Sequence, residues 1–147
     1  MAGSSYKLNK MATSIAKLQS IIPKSFHPIA ISYVFNSMVK LAGTAGIRIE
    51  SLTHKHAHVS LQNTRKIQNH IGGLHACSMA LAAESATGIL IGMNVPDTHL
   101  PLIKSMKVDF VRRCEGDTNG EGSRTDDVYM RIQDYVYEEG LVKCTVK

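Results

Sequence analysis

The stretch Gln68-Asn69-His70-Ile71-Gly72-Gly73-Leu74-His75-Ala76-Cys77-Ser78-Met79-Ala80-Leu81-Ala82-Ala83-Glu84 decides how the rest of the chain is read. Between Lys66 and Lys104 the only charged residues are Glu84 and Asp97, so Glu84 stands alone in an apolar segment from Ile71 to Val95. From about Leu74 to Ile91 there is no proline and a high share of Ala, Leu and Met, which predicts a helix. Gly72-Gly73 and Gly92 mark its ends. Without a polar stripe such a helix is buried on most faces, and Ala76, Ala80, Ala82, Ala83, Ala86 and Gly88 leave room for a neighbouring backbone. A lone carboxylate buried there is costly unless it is paired, so its presence asks for a reason.

Working outward toward the N-terminus, Ile47 to Leu52 and Ala57 to Asn63 alternate with the two-residue period of strands, with Ile47, Ile49, Val59 and Leu61 inward. They form a hairpin leading into the helix. His54, His56 and His58 share one parity at its tip; with no clear fourth ligand they read as a solvated turn or strand face, and no metal site is assigned. Further upstream, Leu8 to Ile22 reads as a helix with Leu8, Met11, Ile15, Leu18 and Ile22 on one face, stopped by Pro23. Ile29 to Leu41 is a second, with Ile31, Val34, Phe35, Met38 and Leu41 apolar, closed by Gly43 and Gly46.

Toward the C-terminus, Asn94-Val95-Pro96-Asp97 is turn chemistry. Leu102 to Cys114 reads as a long strand with Met106, Val108 and Phe110 inward and Lys107 and Asp109 outward. Glu115 to Asp127 is a polar, Gly-rich loop. Val128 to Tyr137 and Leu141 to Val146 are strands joined at Glu138-Glu139-Gly140. The order predicts an α+β chain in which strands on both sides of one apolar helix form an antiparallel sheet packed around it.

At 147 residues and 44% hydrophobic composition, one globular unit is expected. It divides into a basic helical arm over residues 1–45 and a main domain over 46–147. Residues 1–49 carry six Lys or Arg and no acid, whereas 50–147 hold the other eleven against all twelve acids. The basicity therefore belongs to the arm. Aromatics are only 5%, too few for a stacking surface, so nucleic acid is not expected as a partner. Cys77, Cys114 and Cys144 are odd in number and far apart, which argues against a disulfide framework and for a reducing compartment. The acid-free start has some composition of a mitochondrial transit peptide but lacks early Arg, so an amphipathic helix lying on the domain or on a membrane surface is the preferred reading of the arm, and the expected location is cytoplasmic or mitochondrial. No apolar run approaches the ~20 residues of a transmembrane helix.

Asn69, His75 six residues on, and Glu84 nine further, with a Gly pair and a small residue after His75, resemble the hotdog-fold acyl-CoA thioesterases, in their phenylacetyl-CoA-type branch. The resemblance covers roughly Gly43 to Lys147. It implies a curved antiparallel sheet wrapped around one long helix, no cofactor, and a homodimer, or a tetramer of paired dimers. His75 and Glu84 lie on opposite faces of one helix and about 13 Å apart along its axis, so one chain cannot bring them together; antiparallel helices of two copies can. The resemblance further implies that the Ala76 N–H binds the thioester oxygen, that Glu84 from the partner acts as general base or nucleophile, that Asn69 positions water or carbonyl, and that His75 orients the loop. Gly73, Arg65, Arg112 and Arg113 are the expected substrate contacts, the arginines for CoA phosphates. The substrate would be an acyl-CoA or acyl-carrier thioester with a fatty or aromatic acyl group.

Other readings use the same residues. Taken singly, His75 is a helix cap or core hydrogen-bonding group and Asn69 a turn residue. His70 precedes Glu84 by a spacing similar to that of hotdog β-hydroxyacyl dehydratases, although the Pro-rich segment those enzymes carry between the two is missing here. A non-catalytic dimer that binds acyl chains or a partner protein, with the basic N-terminal arm in its support, is the third reading.

Overall fold

The computed structural model describes residues 9–110 and the backbones of strands at 125–128, 132–138 and 141–146. Three helices come first: α1 (Lys10–Ile21), α2 (His27–Met38) and α3 (Lys40–Ala45). A hairpin of β1 (Arg48–Leu52) and β2 (Ala57–Gln62) follows, then the long helix α4 (Ala76–Asn94). The chain ends in β3 (Thr125–Val128), β4 (Ile132–Glu138) and β5 (Leu141–Val146). β1, β2 and β3 form one antiparallel sheet with β2 in the centre, and β4 and β5 pair separately as an antiparallel hairpin. The expected α+β chain with an antiparallel sheet and one long helix is what is found.

The hairpin explains most of the core. Ile47, Ile49, Val59 and Leu61 are all buried, as their alternation predicts. Leu52 is buried too, although it has the opposite parity to Ile49. A bulge between Ile49 and Ser51 resets the alternation, so that Ile49 faces Val59 and Leu52 faces Ala57. The bulged residue Glu50 accepts a 2.5 Å hydrogen bond from the fully buried Ser60 hydroxyl.

α4 lays the stripe Ser78, Ala82, Ser85, Ala86, Ile89, Leu90 and Met93 into this core. Its other side is not covered to the expected degree: Ala80, Ala83, Glu84 and Thr87 are half-buried and Gly88 is exposed. With 19 residues and a mean hydropathy of 1.4, α4 has the length and composition of a membrane-crossing helix, more than the sequence reading allowed. The core helix of a soluble protein has the same properties, and α4 packs on β2 and α1.

α4 also runs past its expected end. Gly92 lies inside the helix, and a Cβ there would stand 2.8 Å from the Met11 sulfur. The glycine thus serves the close approach of α1. Asn9 completes that contact. Its Oδ1 accepts from the Ala12 N–H and caps α1, while its Nδ2 donates to the carbonyls of Gly92 and Val95, each at 2.6 Å. Gly92 is four residues before Pro96, which has no N–H to offer that carbonyl, so Asn9 supplies the missing donor. Both carboxylate oxygens of Asp97 accept from the Lys10 N–H at the same helix start, where negative charge is favoured.

The arm differs from its expected form in one respect. α2 ends at Met38, and the chain turns at Val39 before α3, closed by Gly46 at φ +75°. The interruption changes the helical phase after Val39, so Ala42 and Ala45 face inward and Leu41 outward; upstream, α2 buries Ile31 and Phe35, one turn apart, and Val34 and Met38, expected on the same apolar side, face outward. Inward residues of the arm belong to the same core cluster as Val59, Leu61 and Ile89. Leu8 lies outside the described residues.

Leu102–Phe110 corrects another expectation. These residues adopt no regular secondary structure, and Leu102, Ile103, Met106 and Phe110 are exposed. A strand needs a ladder to satisfy its backbone, and these residues pair with none of the described strands. Lys107 and Asp109 do share a side, 3.4 Å apart. Residues 111–114 of that expected strand, the loop from Glu115 to Arg124, and the turn at Glu139-Gly140 lie outside the described residues. The strand expected from Val128 to Tyr137 is divided: β3 pairs with β2, whereas β4 pairs with β5 from Glu138↔Leu141 back to Ile132↔Val146.

Two substitutions test this packing. Asn9→Ala removes a helix cap and strands two carbonyls, and is expected to cost about 1–3 kcal/mol. Gly43→Ala places a Cβ 2.7 Å from the Asn36 carbonyl oxygen, a backbone atom with little room to retreat, and is expected to cost about 1–3 kcal/mol. Urea unfolding of each variant measures the loss, and a midpoint unchanged from the parent contradicts the assignment.

Candidate functional site

The approach to α4 is a tight turn built by Asn69. Its Oδ1 accepts from the N–H groups of Ile71 (3.0 Å) and Gly73 (3.1 Å), and its Nδ2 donates to the Leu74 carbonyl at 3.3 Å. The Asn69 N–H also donates to the Gly73 carbonyl and its own carbonyl accepts from Gly72. Such side-chain mimicry of a backbone turn is what Asn does well. Gly72 has φ +79°, a left-handed conformation that glycine adopts without cost. Gln68 and Leu74 bridge across the turn, and Asn63 Nδ2 donates to the Gly72 carbonyl. Asn69 therefore shapes the loop, with its oxygen fully engaged, and Gly73 is buried within it.

His75 is the N-cap of α4. Its Nδ1 accepts from the Cys77 N–H at 3.1 Å, and its carbonyl accepts from Ser78 and Met79. An accepting Nδ1 puts the ring proton of the neutral imidazole on Nε2. Its own N–H donates to the Ile67 carbonyl at 2.9 Å, which ties the helix start to the 3-10 turn Arg65–Ile67. A helix leaves its first N–H groups without intrahelical acceptors. Here those of Cys77, Ser78 and Met79 are satisfied, and the Ala76 N–H is left without an acceptor among the described residues. His75, Ala76 and Cys77 are all exposed. The result is an open donor at the positive end of a helix dipole.

Glu84 lies nine residues further along, half-buried on the side of α4 that the core does not cover. Its carboxylate has no hydrogen bond or ion pair within the described residues, and its Oε1 would lie 3.4 Å from a Cβ added at Gly88. Gly88 thus leaves the carboxylate open to approach. His75 and Ala76 do not meet Glu84 within one chain, as helix geometry requires. His70 is exposed on the turn, and Arg65 is exposed beside Lys66. Arg112 and Arg113 lie outside the described residues.

Two features escaped the sequence reading. The Ser85 hydroxyl is buried against the core with no hydrogen-bond partner among the described residues. Nothing in the spacing distinguishes it from a helix-facing serine. The hairpin tip is anchored to α4: His54 Nδ1 meets Asn94 Oδ1 at 3.3 Å, and Asn94 Nδ2 donates to the His54 carbonyl. His54 is thus used as a turn residue while His58 lies within β2, and no group of three His, Cys, Asp or Glu among the described residues is disposed to hold a metal. A shallow cleft lined by Pro28, Ile29, Ser32, Arg48 and Glu50 contains none of the candidate residues around α4.

Fold and site together define an α+β domain whose long helix offers a free N-terminal donor and an uncovered carboxylate. The chain belongs to the family described as Domain of unknown function (DUF4442), which matches residues 28–143 and so spans α2 to β5. No curated protein matches the sequence. A solved structure described as "Crystal Structure of genomics APC5556" is similar at 22% identity with a TM-score of 0.56, over 71% of this chain and 67% of that one. That likeness concerns the fold alone.

The hydrogen bonds around α4 make opposite predictions for two neighbours of the site. Ser85→Ala removes a buried hydroxyl that has no partner and is expected to stabilise the protein by about 1 kcal/mol, a rise in Tm of about 2–4 °C. Asn69→Ala leaves two turn N–H groups unmet and is expected to destabilise by about 1–2 kcal/mol. Differential scanning calorimetry of both decides; a Ser85→Ala variant that melts earlier than the parent means the hydroxyl has a partner after all.

Proposed function

We propose that this chain hydrolyses acyl thioesters, in the manner of the hotdog-fold thioesterases that its sequence resembles, at a site completed by a second copy. The observation that carries the reading is the unclaimed Ala76 N–H at the exposed start of α4. Such a donor, at the positive end of a helix dipole, suits the oxygen of a thioester carbonyl as it gains charge. The long helix beside an antiparallel sheet is compatible with the hotdog arrangement. Two copies whose α4 helices run side by side and antiparallel bring Glu84 of the partner subunit toward this helix start, and Ala80, Ala83 and Gly88 offer small side chains for the approach.

In one route Glu84 of the partner subunit takes a proton from water as the oxygen adds to the thioester carbon. The tetrahedral oxyanion is held by the Ala76 N–H, and its collapse expels the thiolate, which recovers the proton from the carboxyl group. In the other, the carboxylate adds directly to the thioester carbon, expels the thiolate and leaves an anhydride that water opens. Both yield one carboxylic acid and one thiol. His75 and Asn69 act by holding the turn and helix start in place. Arg65 is placed at the loop before α4, suited to the phosphates of CoA, with Arg112 and Arg113 as further candidates.

Release of free thiol from a graded series of acyl-CoAs tests the reaction, and its absence across the series refutes it. Hydration of a crotonyl thioester without thiol release points to dehydratase chemistry instead. Two variants assign the groups. Glu84→Gln keeps shape and is expected to lower turnover by about 100-fold or more. Ala76→Pro deletes only the N–H at the first helical position, where proline is accepted, and His75 already has the extended backbone that a following proline requires. It is expected to fold normally and to lose about 100- to 1,000-fold in kcat. Full activity in either variant sinks the corresponding role.

A further inference from the structure

The outward side of α2 is unlike an ordinary solvated helix face. His27–Met38 contains no charged residue, and Phe26, Ile29, Tyr33, Val34, Met38 and Leu41 are exposed along it and the start of α3. Tyr33 and Met38 are 77% and 71% exposed, so neither contributes to the core. A continuous uncharged strip of large apolar side chains on a surface marks an interaction site. Exposed lysines surround it in the chain: Lys17 on α1, Lys24 just before α2 and Lys40 at the start of α3. No acid occurs before Glu50, which together with Arg48 lines a cleft beside Pro28, Ile29 and Ser32 at one edge of this face.

We propose that this face docks on an anionic phospholipid membrane, with Phe26, Ile29, Tyr33 and Met38 entering the headgroup boundary and Lys17, Lys24 and Lys40 meeting lipid phosphates and carboxylates. The charge distribution selects this occupant. A second copy would bring one acid-free arm against another and oppose like charges, whereas an anionic bilayer complements both the apolar strip and its basic surround. Aromatic and thioether side chains suit the boundary between headgroups and acyl chains, and α2, at 12 residues, is too short to span a bilayer and so lies along its surface. The inference does not depend on thioester hydrolysis, because none of these residues belongs to the site at α4.

Co-sedimentation of the full chain with liposomes tests it, comparing pure phosphatidylcholine with phosphatidylcholine containing about one phosphatidylserine in four. Binding is expected to the mixed vesicles alone and to weaken with added salt. Replacing all three lysines (Lys17→Gln, Lys24→Gln, Lys40→Gln) is expected to lower the partition coefficient by about 100-fold. The double variant Tyr33→Ser, Met38→Ser is expected to lower it by about tenfold or more. All five side chains are exposed, so circular dichroism and Tm should match the parent. No binding to the mixed vesicles, or equal binding to both compositions, overturns the proposal. So does concentration-dependent self-association in sedimentation velocity that the Tyr33→Ser, Met38→Ser variant abolishes, since a second copy would then cover the face.

Discussion

Asn9 clamps the far end of α4 to the near end of α1, and both helix ends depend on that contact. One amide does three jobs: its oxygen caps α1, and its nitrogen donates to two carbonyls at the end of α4. The need arises from Pro96, which ends the helix but withholds a donor from Gly92. Gly92 in turn lets Met11 settle against the helix. At the opposite end, α4 is fixed by backbone: His75 donates to Ile67, and the Asn69 turn sets the direction from which the chain enters. A helix held at both ends can leave part of its circumference uncovered, as α4 does around Glu84.

That division of labour changes how the residues near the helix start are understood. Asn69 and His75 entered as candidates through their spacing to Glu84, while taken singly they read as a turn residue and a helix cap. Their role is visible in the hydrogen bonds: the amide oxygen of Asn69 holds two turn N–H groups and the imidazole of His75 caps one helix N–H. Occupied in this way they position the backbone, and what remains available at the helix start is a backbone donor. Glu84 differs from both, because its half-buried carboxylate has no hydrogen bond or ion pair among the described residues.

Much of the fold was legible because period and punctuation act locally. Alternation placed Ile47, Ile49, Val59 and Leu61 inward, and the run of Ala, Leu and Met gave α4 to within a turn at its start. What misled was tertiary. Gly92 looked like a terminator because glycine ends helices, whereas here it admits α1. Leu52 broke the alternation because a bulge is invisible in a hydrophobic pattern. In the arm, the apolar stripe Val34, Met38 and Leu41 fitted a helix that the break at Val39 cuts in two. Leu102 to Phe110 has the alternation of a strand, but alternation cannot show whether a sheet edge is free to receive it. At the site, Glu84 stood out in the sequence through its isolation, while the Ala76 N–H was reached only through the family resemblance, because every helix has such donors and only the structure shows which of them are met.

Two faces left open among the described residues differ in their chemistry. The open side of α4 has small residues around one carboxylate, and small residues favour close approach by another backbone. The outer side of α2 has large residues and no charge within the helix, with lysines on either side. Large flexible side chains such as Met38 and Tyr33 suit a deformable phase, in which each can find depth independently of its neighbours. A rigid protein surface would need complementary pockets for each. If the α4 face is filled by a second copy and the α2 face by lipid, the two associations do not compete for the same residues. Membrane binding by two linked copies would then gain from avidity, since the second arm meets the bilayer at a raised effective concentration. Weak attachment of a single arm is enough in that case, which fits a face with three flanking lysines rather than a dense basic cluster.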